Sequence, residues 1–285
     1  MTHPHRSHPT LTLVPIGGLA NRMRAIVSAA ALTGETGHTL HVVWFKDAGL
    51  NCRFDELFCS IGRTDIRLHE ATFADFLLYD RPRRKNLWLP GLFQHAAFDA
   101  RLYEQAPELA PGSPFDAGQW LAGHSRAYIA TCYPFHPSPT SLYAALFRPV
   151  EAIERQVRTY TERFSAHTVG IHIRRTDNAM SIAHSPLSLF IQAMERELEA
   201  HPDTTFFVAS DSEADKHTLR THFGPRILTS SAPADRNSKA GMQQGAVDLF
   251  TLSRTDKIFG SCYSSFSEVA AMLRSIPYHR IQQGL

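Results

Sequence analysis

Three short polar segments in the second half of the chain carry residue types that bind phosphate. Each lies at the end of an apolar run, and their sequences are HIRRTD (172–177), SDS (210–212) and SCYSS (261–265). Arginine suits phosphate because its planar guanidinium donates two parallel hydrogen bonds and stays charged at any working pH. Hydroxyls and backbone amides that lead into a helix also favour an anion. Together the three segments predict an anion-binding site.

The two adjacent arginines are predicted to have different roles. Because successive side chains of a strand point to opposite faces, His172 and Arg174 share one side of the backbone and Arg175 lies on the other. We therefore expect Arg174 to bind the phosphate and Arg175 to brace the loop, with Asp177 as its partner. A salt-bridged surface pair without a ligand is the alternative for these arginines.

The acidic residues after the second segment have a simpler interpretation than metal binding. Asp211 follows a predicted strand, and Ser210-x-x-Glu213 fits a capping box at a helix start. Asp211, Glu213 and Asp215 could instead imitate a metal-binding DxD element. The pattern favours the first turn of a helix, where acidic side chains suit the helix dipole. No metal site is predicted.

Parallel strands and helices are predicted to position these segments, beginning near the N-terminus. LTLVPI (11–16) and TLHVVWF (39–45) have the composition of buried strands, and the residues between them are small and apolar at helical spacing. This pattern indicates a βαβ unit. Its Gly17-Gly18 turn lies where such folds bring the backbone close to a ligand.

The second half alternates strands and helices, which indicates a doubly wound parallel sheet in an α/β fold. Strands are expected at 168–173, 204–210, 226–230 and 257–260, and helices at 151–164, 186–200, 212–223, 246–254 and 265–274. We predict a disordered tail over 1–10, an N-terminal α/β domain over 11–150 and a C-terminal Rossmann-like domain over 151–285. Residues 46–150 are expected to form irregular helices and long loops.

Composition excludes several classes of protein. An apolar share of 43% and a charged share of 20% are those of a globular protein, and the net charge of +2 argues against a nucleic-acid coat. The four cysteines form no CxxC pair and are expected to be reduced thiols. Without a signal peptide or an apolar span, a cytoplasmic protein is expected, and peripheral membrane association stays open. For the basic segment RPRRK (81–85), a solvated loop is favoured over a phosphate or membrane site.

Several longer segments resemble the motifs of one enzyme superfamily. VGIHIRRTDN, FFVASDS and AVDLFTLSRTDKIFGSCYSSFSEVA are similar, in order and spacing, to three motifs of the fucosyltransferases, above all the α-1,6-fucosyltransferases of animal N-glycan cores and bacterial nodulation factors. The N-terminal PIGGLANRMRAIVSAAALTGETGHTLHVVW resembles the Gly-rich loop, helix and second strand of that family. The resemblance covers about half of the chain, and residues 46–150 lie outside it.

This resemblance implies a fold and a donor site. The fold would be of GT-B type, with two Rossmann-like domains facing across a cleft and GDP-β-L-fucose held mainly by the C-terminal domain. His172 would contact the nucleoside, Arg174 the β-phosphate and Asp248 the guanine, whose N1–H and amino group can donate to one carboxylate. The other residues of the expected donor site are Gly17, Gly18, Asn21, Arg175, Asp177, Asp211, Ser264 and Ser265.

The expected reaction is an inverting transfer of fucose to a glycan or glycolipid hydroxyl, with no cofactor beyond the donor. It is expected to be metal-independent, because Arg174 supplies the positive charge that a divalent cation would otherwise provide. The general base is the open point. Counted from Asp177, the position of the Glu proposed in α-1,6 enzymes is Ile182, which cannot accept a proton. His184 is the candidate base; a loop histidine without this role, and an acidic group within 46–150, are the alternatives.

Two other functions remain as alternatives from the sequence. One is transfer from another GDP-sugar or a UDP-sugar, and the other is a non-catalytic protein that binds nucleotides or polyanions. The chain is not expected to be a dehydrogenase, because no GxGxxG motif follows the first strand.

Overall fold

A computed structural model describes residues 8–175, 179–230, 235 and 237–283. The chain forms two compact units, each built on one parallel sheet of five strands. The first unit comprises the chain up to Asp55 together with Ser60–Leu142, and the second comprises Glu56–Cys59 and the chain from Tyr143 onward. Two parallel sheets, one in each unit, confirm the α/β fold class that the sequence predicts.

The first unit has the strand order β3-β2-β1-β5-β4, with β1 at the centre. All neighbouring strands are parallel. Its elements are β1 (Thr10–Pro15), α1 (Leu19–Thr36), β2 (Thr39–Trp44), β3 (Ile66–Glu70), α2 (Phe73–Leu78), α3 (Leu89–Ala97), β4 (Ala100–Tyr103), α4 (Ala117–Ala122) and β5 (Arg126–Thr131), followed by the start of α5 (Ser141–Leu146).

Helix α1 connects the central strand β1 to its neighbour β2. It begins after the Gly17-Gly18 turn, in which Gly17 has a φ of 83° in the region that favours glycine. It ends at Thr36, before the left-handed C-cap Gly37. Its alanines and other small side chains are buried, which allows close packing on β1. Neither α1 nor another helix in the described part of the chain is long and apolar enough to cross a membrane.

The second unit has the strand order β10-β9-β6-β7-β8, again with its first strand at the centre. All neighbouring strands are parallel here too. Its further elements are α6 (Glu151–Thr161), β6 (Thr168–Ile173), α7 (Ala179–His184), α8 (Leu187–Ala200), β7 (Thr205–Ser210), α9 (Glu213–Phe223), β8 (Ile227–Thr229), α10 (Lys239–Leu252), β9 (Lys257–Ser261), α11 (Ser265–Arg274) and β10 (Tyr278–Ile281).

Residues 46–150 differ from their prediction, because they contribute three strands of the first sheet. β3 and β4 are short edge strands in which polar side chains interrupt the apolar ones, and neither is buried along its whole length. They therefore lack the apolar run that marks a buried strand. β5 pairs with β1 along its whole length, but its polar ends obscure the apolar centre YIA. The last strand, β10, was also missed for its mostly polar sequence.

The division between the units lies between Leu142 and Tyr143, whereas the sequence placed it between residues 150 and 151. Aromatic packing explains the difference. Phe58 contacts Phe147 and Phe250 with ring centroids 5.1 and 6.1 Å apart, so the short segment around Phe58 and the end of α5 join the core of the second unit. Of the predicted tail over 1–10, residues 1–7 lie outside the described residues, and β1 already begins at Thr10.

Gly260 in β9 is a position where the close approach of α11 leaves no room for a side chain. A Cβ added there would lie 2.6 Å from Ser267 Cβ and 2.7 Å from the Tyr278 ring. We expect Gly260→Ala to lower the free energy of unfolding by about 1–3 kcal/mol through overpacking, measured by urea denaturation. Gly245→Ala in α10 is the matched control, since a Cβ there meets nothing within 4 Å. Equal stability of the two variants would contradict this account of the packing.

Candidate functional site

The candidate site lies at the carboxyl edge of the second sheet, beside β6. The chain runs from β6 outward through β7 to β8, then crosses to β9 on the other side of β6. A sheet whose strand order reverses in this way opens a crevice at the reversal, beyond the carboxyl ends of its strands. The segments after β6 and β9 therefore meet at the position where open α/β sheets bind ligands.

Arg174, the residue predicted to bind phosphate, is held between the loop after β7 and the end of β9. Its guanidinium Nη1 lies 2.9 Å from Asp211 Oδ2, and its backbone N–H donates to Ser261 Oγ at 3.1 Å. The Arg174 side chain keeps 20% of its surface exposed. The arginine is thus fixed at the crevice, with part of its surface open to a ligand.

Arg175 braces the same loop, as predicted, but its carboxylate partner is on α9. Its Nε donates to Asp215 Oδ2 at 2.7 Å and its Nη1 to the Arg174 carbonyl at 3.1 Å, while its backbone N–H donates to Asp211 Oδ1 at 2.8 Å. The predicted partner, Asp177, lies outside the described residues. Asp211 and Asp215 are thus engaged by arginines, which opposes a metal-binding DxD arrangement.

The capping box predicted at the start of α9 is wrong by two residues. Ser212, rather than Ser210, is the N-cap, and its hydroxyl accepts from the Asp215 backbone N–H at 3.2 Å. Ser210 Oγ accepts from the Ser212 N–H at 3.1 Å and so stabilises the turn before the helix. The turn directs Asp211 towards β6.

His172 is buried beneath the loop and is stacked on an aromatic ring. Its imidazole lies 4.9 Å from the Phe266 ring at an interplanar angle of 26°. Burial, assisted by the charge of Arg174, lowers the pKa of His172 to about 4, so the ring is neutral at physiological pH. Its Nδ1 is buried without a hydrogen-bond partner among the described residues. A neutral histidine with an open nitrogen suits contact with a polar, uncharged group.

The loop between β9 and α11 provides the N-terminus of a ten-residue helix. Ser264 is the N-cap, yet its side chain makes no capping hydrogen bond to the helix, and Ser264 and Ser265 are both partly exposed. Tyr263 precedes them with a φ of 55°, a left-handed conformation unusual for a tyrosine, and its side chain is exposed. A helix start with amide donors and an uncommitted hydroxyl is a favourable place for an anion.

His184, the candidate base, lies against this loop. Its ring centroid is 5.7 Å from that of Tyr263. The next residue, Ser185, accepts from the Cys262 N–H at 3.0 Å and donates to Cys262 Sγ at 3.0 Å. The end of α7 is therefore tied to the loop that carries Ser264, which brings His184 to the same edge of the sheet.

Asp248 lies in the middle of α10 and is 3% exposed. Gln244 Nε2 donates to its Oδ1 at 2.9 Å. Burial raises the pKa of Asp248 to about 6, against the opposing effects of the Gln244 hydrogen bond and the Lys216 ammonium. A buried carboxylate with a perturbed pKa is a frequent mark of a binding or catalytic group.

The first unit carries its own Gly-rich turn at the corresponding strand reversal. A Cβ on Gly17 would approach Asn21 Nδ2 to 3.3 Å and the Cβ of Cys132, which follows β5, to 3.5 Å. Gly18 is the N-cap of α1 and has no side chain to cap it. The turn is therefore packed tightly between β1 and β5, with backbone amides at a helix start. Gly17 and Gly18 form this turn and Asn21 lies in the first turn of α1; their role in binding the diphosphate stays a prediction.

Arg22 supports that turn and was missed by the sequence analysis. Its side chain is fully buried, its Nε donates to the Gly17 carbonyl at 2.9 Å and its Nη2 to Asp47 Oδ1 at 2.8 Å. Its Nη1 donates to the Phe45 carbonyl, and the guanidinium lies 5.0 Å from the Trp44 ring centroid. The sequence feature that could have revealed Arg22 is an arginine among the apolar residues of α1, close after Gly17 and Gly18.

One group of described residues has the geometry of a potential metal site, but it lies elsewhere. His167, Glu197 and His201 bring their ligand atoms within 4.8 Å of one another. His167 precedes β6, so this group is at the amino edge of the sheet, opposite Arg174. It cannot serve an anion bound at the carboxyl edge.

Solved structures of fucosyltransferases share this fold. NodZ from Bradyrhizobium aligns with a TM-score of 0.63 at 16% identity, over 96% of this chain and 97% of that chain. A mutant of FUT1 from Arabidopsis thaliana in complex with GDP aligns with a TM-score of 0.66 at 16% identity, over 97% of this chain and 71% of that chain. POFUT1 in complex with GDP gives 0.60 at 13% identity, over 96% and 98%.

Similarity in sequence is much weaker than similarity in fold. No protein-family model matches the chain, and the search of curated proteins found no match. The structural likeness to fucosyltransferases that was expected from the motifs is nevertheless confirmed across nearly the whole chain, including the middle region that the motifs do not cover.

The burial of Asp248 predicts a pH-dependent effect on stability. Because its folded pKa of about 6 exceeds the ordinary 3.8, the folded state binds more protons between these values, and its stability falls as pH rises through that window. We expect Asp248→Asn to raise the free energy of unfolding at pH 7 by roughly 1–3 kcal/mol, and this gain to disappear near pH 4.

Urea denaturation across this pH range measures the effect. Asp203→Asn is the matched control, because Asp203 is exposed and its replacement should change the free energy of unfolding by less than about 0.5 kcal/mol. If the difference in free energy of unfolding between wild type and Asp248→Asn stays constant with pH, ionisation of Asp248 does not destabilise the folded protein, and the prediction is wrong.

Proposed function

We propose that this chain is a fucosyltransferase that moves fucose from GDP-fucose to an acceptor hydroxyl. The observation that carries the proposal is Arg174, fixed by Asp211 at the strand reversal and next to the N-terminus of α11. The fold supports the same activity, since NodZ α-1,6-fucosyltransferase was solved after soaking with GDP-fucose and POFUT1 was solved with GDP.

The donor's diphosphate is proposed to bind between Arg174 and the start of α11. The guanidinium offers the β-phosphate a fixed positive charge, and Ser264, Ser265 and the first amides of the helix offer neutral donors. The Asp211 carboxylate cannot bind phosphate itself. It orients Arg174 by pairing with one edge of the guanidinium, and so it restricts the side chain to one conformation.

Guanine is proposed to be recognised by Asp248. A carboxylate accepts two hydrogen bonds from the guanine N1–H and amino group, whereas uracil and cytosine cannot donate in the same pattern. Gln244 already donates to one oxygen of Asp248, so the base would share or replace that hydrogen bond. Hydrogen bonds from the guanine N1–H and amino group would stabilise the ionised carboxylate and so oppose the effect of burial on its pKa. Binding guanine would therefore explain why a carboxylate is kept at a buried position.

The proposed reaction is an inverting displacement. The acceptor oxygen forms a bond to the anomeric carbon as the bond from that carbon to the β-phosphate oxygen breaks, and GDP leaves with the electron pair. Negative charge grows on the β-phosphate, so a fixed Arg174 stabilises the transition state more than the ground state. The acceptor proton passes to a base, for which His184 is the candidate on the second unit.

Metal independence is part of this proposal. Arg174 and the α11 N-terminus supply the positive potential that a divalent cation would otherwise bring to the diphosphate. The nearby carboxylates of Asp211 and Asp215 are in ion pairs with Arg174 and Arg175, so they are poorly suited to bind a cation as well.

A transfer assay with labelled GDP-fucose tests the proposed function. The protein is incubated with a panel of glycan and glycolipid acceptors in EDTA, with matched reactions that contain GDP-mannose, UDP-galactose or UDP-glucose. We expect label on an acceptor from GDP-fucose only, at a rate that EDTA does not change. GDP binding without transfer or donor hydrolysis would indicate a non-catalytic nucleotide-binding protein, and turnover of a UDP-sugar would indicate another glycosyltransferase. Both results contradict the proposal.

Arg174→Ala is expected to lower kcat by about 10²–10³-fold, because one preorganised donor to the departing phosphate is lost. Arg155→Ala provides the control, since Arg155 is an exposed arginine on α6 of the same unit. Circular dichroism and the thermal transition of each variant confirm folding. Near-normal turnover of folded Arg174→Ala refutes the assigned role.

GDP affinity is expected to depend on the ionisation of Asp248. With a pKa of about 6 in the free protein, most of the carboxyl is protonated at pH 5, and GDP should bind roughly tenfold more weakly there than at pH 7.5 on this account. Calorimetry measures GDP affinity at both pH values for wild type and Asp248→Asn. Protonation of the nucleotide phosphate affects both proteins equally, so the difference between them reports on Asp248. The asparagine variant should also discriminate poorly between GDP and UDP. Retained discrimination would exclude Asp248 as the guanine-binding residue.

A further inference from the structure

Large apolar side chains are exposed in one region of the first unit. Among the described residues, eight such side chains are exposed, and five of them lie within residues 73–92. We call these five the α2–α3 patch: Phe73, Leu87, Trp88, Leu89 and Leu92, exposed by 78, 76, 59, 41 and 74%. Helices α2 and α3, which carry or flank them, pack against each other. A concentration of exposed apolar surface commonly marks an interaction site.

The backbone beneath the patch is held in an unfavourable conformation. Leu87 and Trp88 have φ values of 55° and 61°, so two consecutive large residues occupy the left-handed region. Such positions persist only where the surrounding structure enforces them, and they are frequent at functional sites.

Two buried amide side chains enforce this conformation. Asn86 accepts from the Arg83 N–H at 2.9 Å and donates to the Arg81 carbonyl at 3.0 Å. Gln94 donates to the carbonyls of Leu78 and Asp80 at 2.9 and 2.8 Å. The connection between α2 and α3 is therefore fixed from inside, while its apolar side chains point outward.

The charge around the patch is positive. Arg84 and Lys85 are exposed immediately before Leu87, and Lys85 Nζ lies 5.6 Å from the Phe76 ring centroid. Arg81 and Arg83 form ion pairs with Glu104 and Asp80 at the base of the loop. The acidic residues within 73–97 are Asp75 and Asp80, and both are buried. The solvated loop favoured for the basic segment is thus part of a surface that is both cationic and apolar.

We propose that the α2–α3 patch docks this protein onto an anionic phospholipid surface. Leucine and phenylalanine side chains enter the acyl boundary, Trp88 lies at the headgroup level as tryptophan does at membrane interfaces, and Arg84 and Lys85 bind lipid phosphates. A purely apolar protein partner would not need the adjacent cations, and a polyanion would not need five exposed apolar side chains. This inference does not depend on the reaction that the protein catalyses.

Vesicle co-sedimentation with the full chain tests the proposal. Vesicles of phosphatidylcholine alone are compared with vesicles that also contain phosphatidylglycerol. We expect binding to the anionic vesicles and a decrease with salt. The Arg84→Ala/Lys85→Ala variant should bind them about 30-fold more weakly, which corresponds to about 1 kcal/mol for each lost cation. Trp88→Ser/Leu92→Ser should lose most of the remaining binding.

Two controls distinguish docking by this patch from nonspecific adhesion. Ile182→Ser and Arg155→Ala remove an exposed apolar side chain and an exposed cation from the second unit, and both should bind like wild type. Tryptophan fluorescence should shift to the blue on anionic vesicles, and Trp88→Phe should abolish the shift but preserve binding. Failure of the wild type to bind anionic vesicles, or equal binding by the patch variants and the wild type, overturns the proposal. The proposal would also be overturned if the α2–α3 patch bound a protein partner but no phospholipid vesicle.

Discussion

The ion pair between Arg174 and Asp211 joins the loops after β6 and β7 and fixes the cation of the candidate site. β6 is the central strand, and its two neighbours hold Arg174 through Asp211, directly after β7, and Ser261, the last residue of β9. An arginine side chain on a surface loop normally samples many rotamers, and a ligand must then pay the entropy of ordering it. Here that ordering is done by the fold. The cation is fixed before an anion arrives, which is the condition for stabilising charge that develops during a reaction.

Both units place a loop at the point where the strand order reverses. In each, the first strand is central, the next two strands extend to one side, and the polypeptide then crosses to the other side, so a functional loop stands where the order reverses. In the first unit the buried guanidinium of Arg22 holds the Gly17 turn from within; in the second, Arg175 and Asp215 brace the loop of Arg174. Buried charges of this kind contribute little net stability, and their value lies in fixing one geometry. Asp248 is likewise a buried ionisable group, and burial raises its pKa to about 6.

The sequence predicted these features unevenly, for physical reasons. Strands buried on both faces, such as β6, are continuous apolar runs, and α11 has a clear helical period, so both fall at their predicted bounds. The edge strands β3 and β4 are half exposed and carry polar side chains, so a pattern of burial was too weak to reveal them. Arg174 and Ser264 could be predicted from their positions after two strands, and both lie at the carboxyl edge of the second sheet. His184 and Asp248 were predicted only through the family resemblance, and their roles stay predictions. The contacts of the other arginines could not be predicted: the pairing of Arg175 with Asp215, 40 positions away, and the role of Arg22 depend on tertiary packing.

The central claim is that Arg174 meets the diphosphate of a guanine nucleotide at the carboxyl edge of the second sheet. A crystal structure of the protein with GDP measures this directly. We predict a β-phosphate oxygen within hydrogen-bond distance of the Arg174 guanidinium and of the first turn of α11, with the guanine edge on the Asp248 carboxylate. Density for the nucleotide at another place, with Arg174 still turned to Asp211 and solvent, would contradict the account.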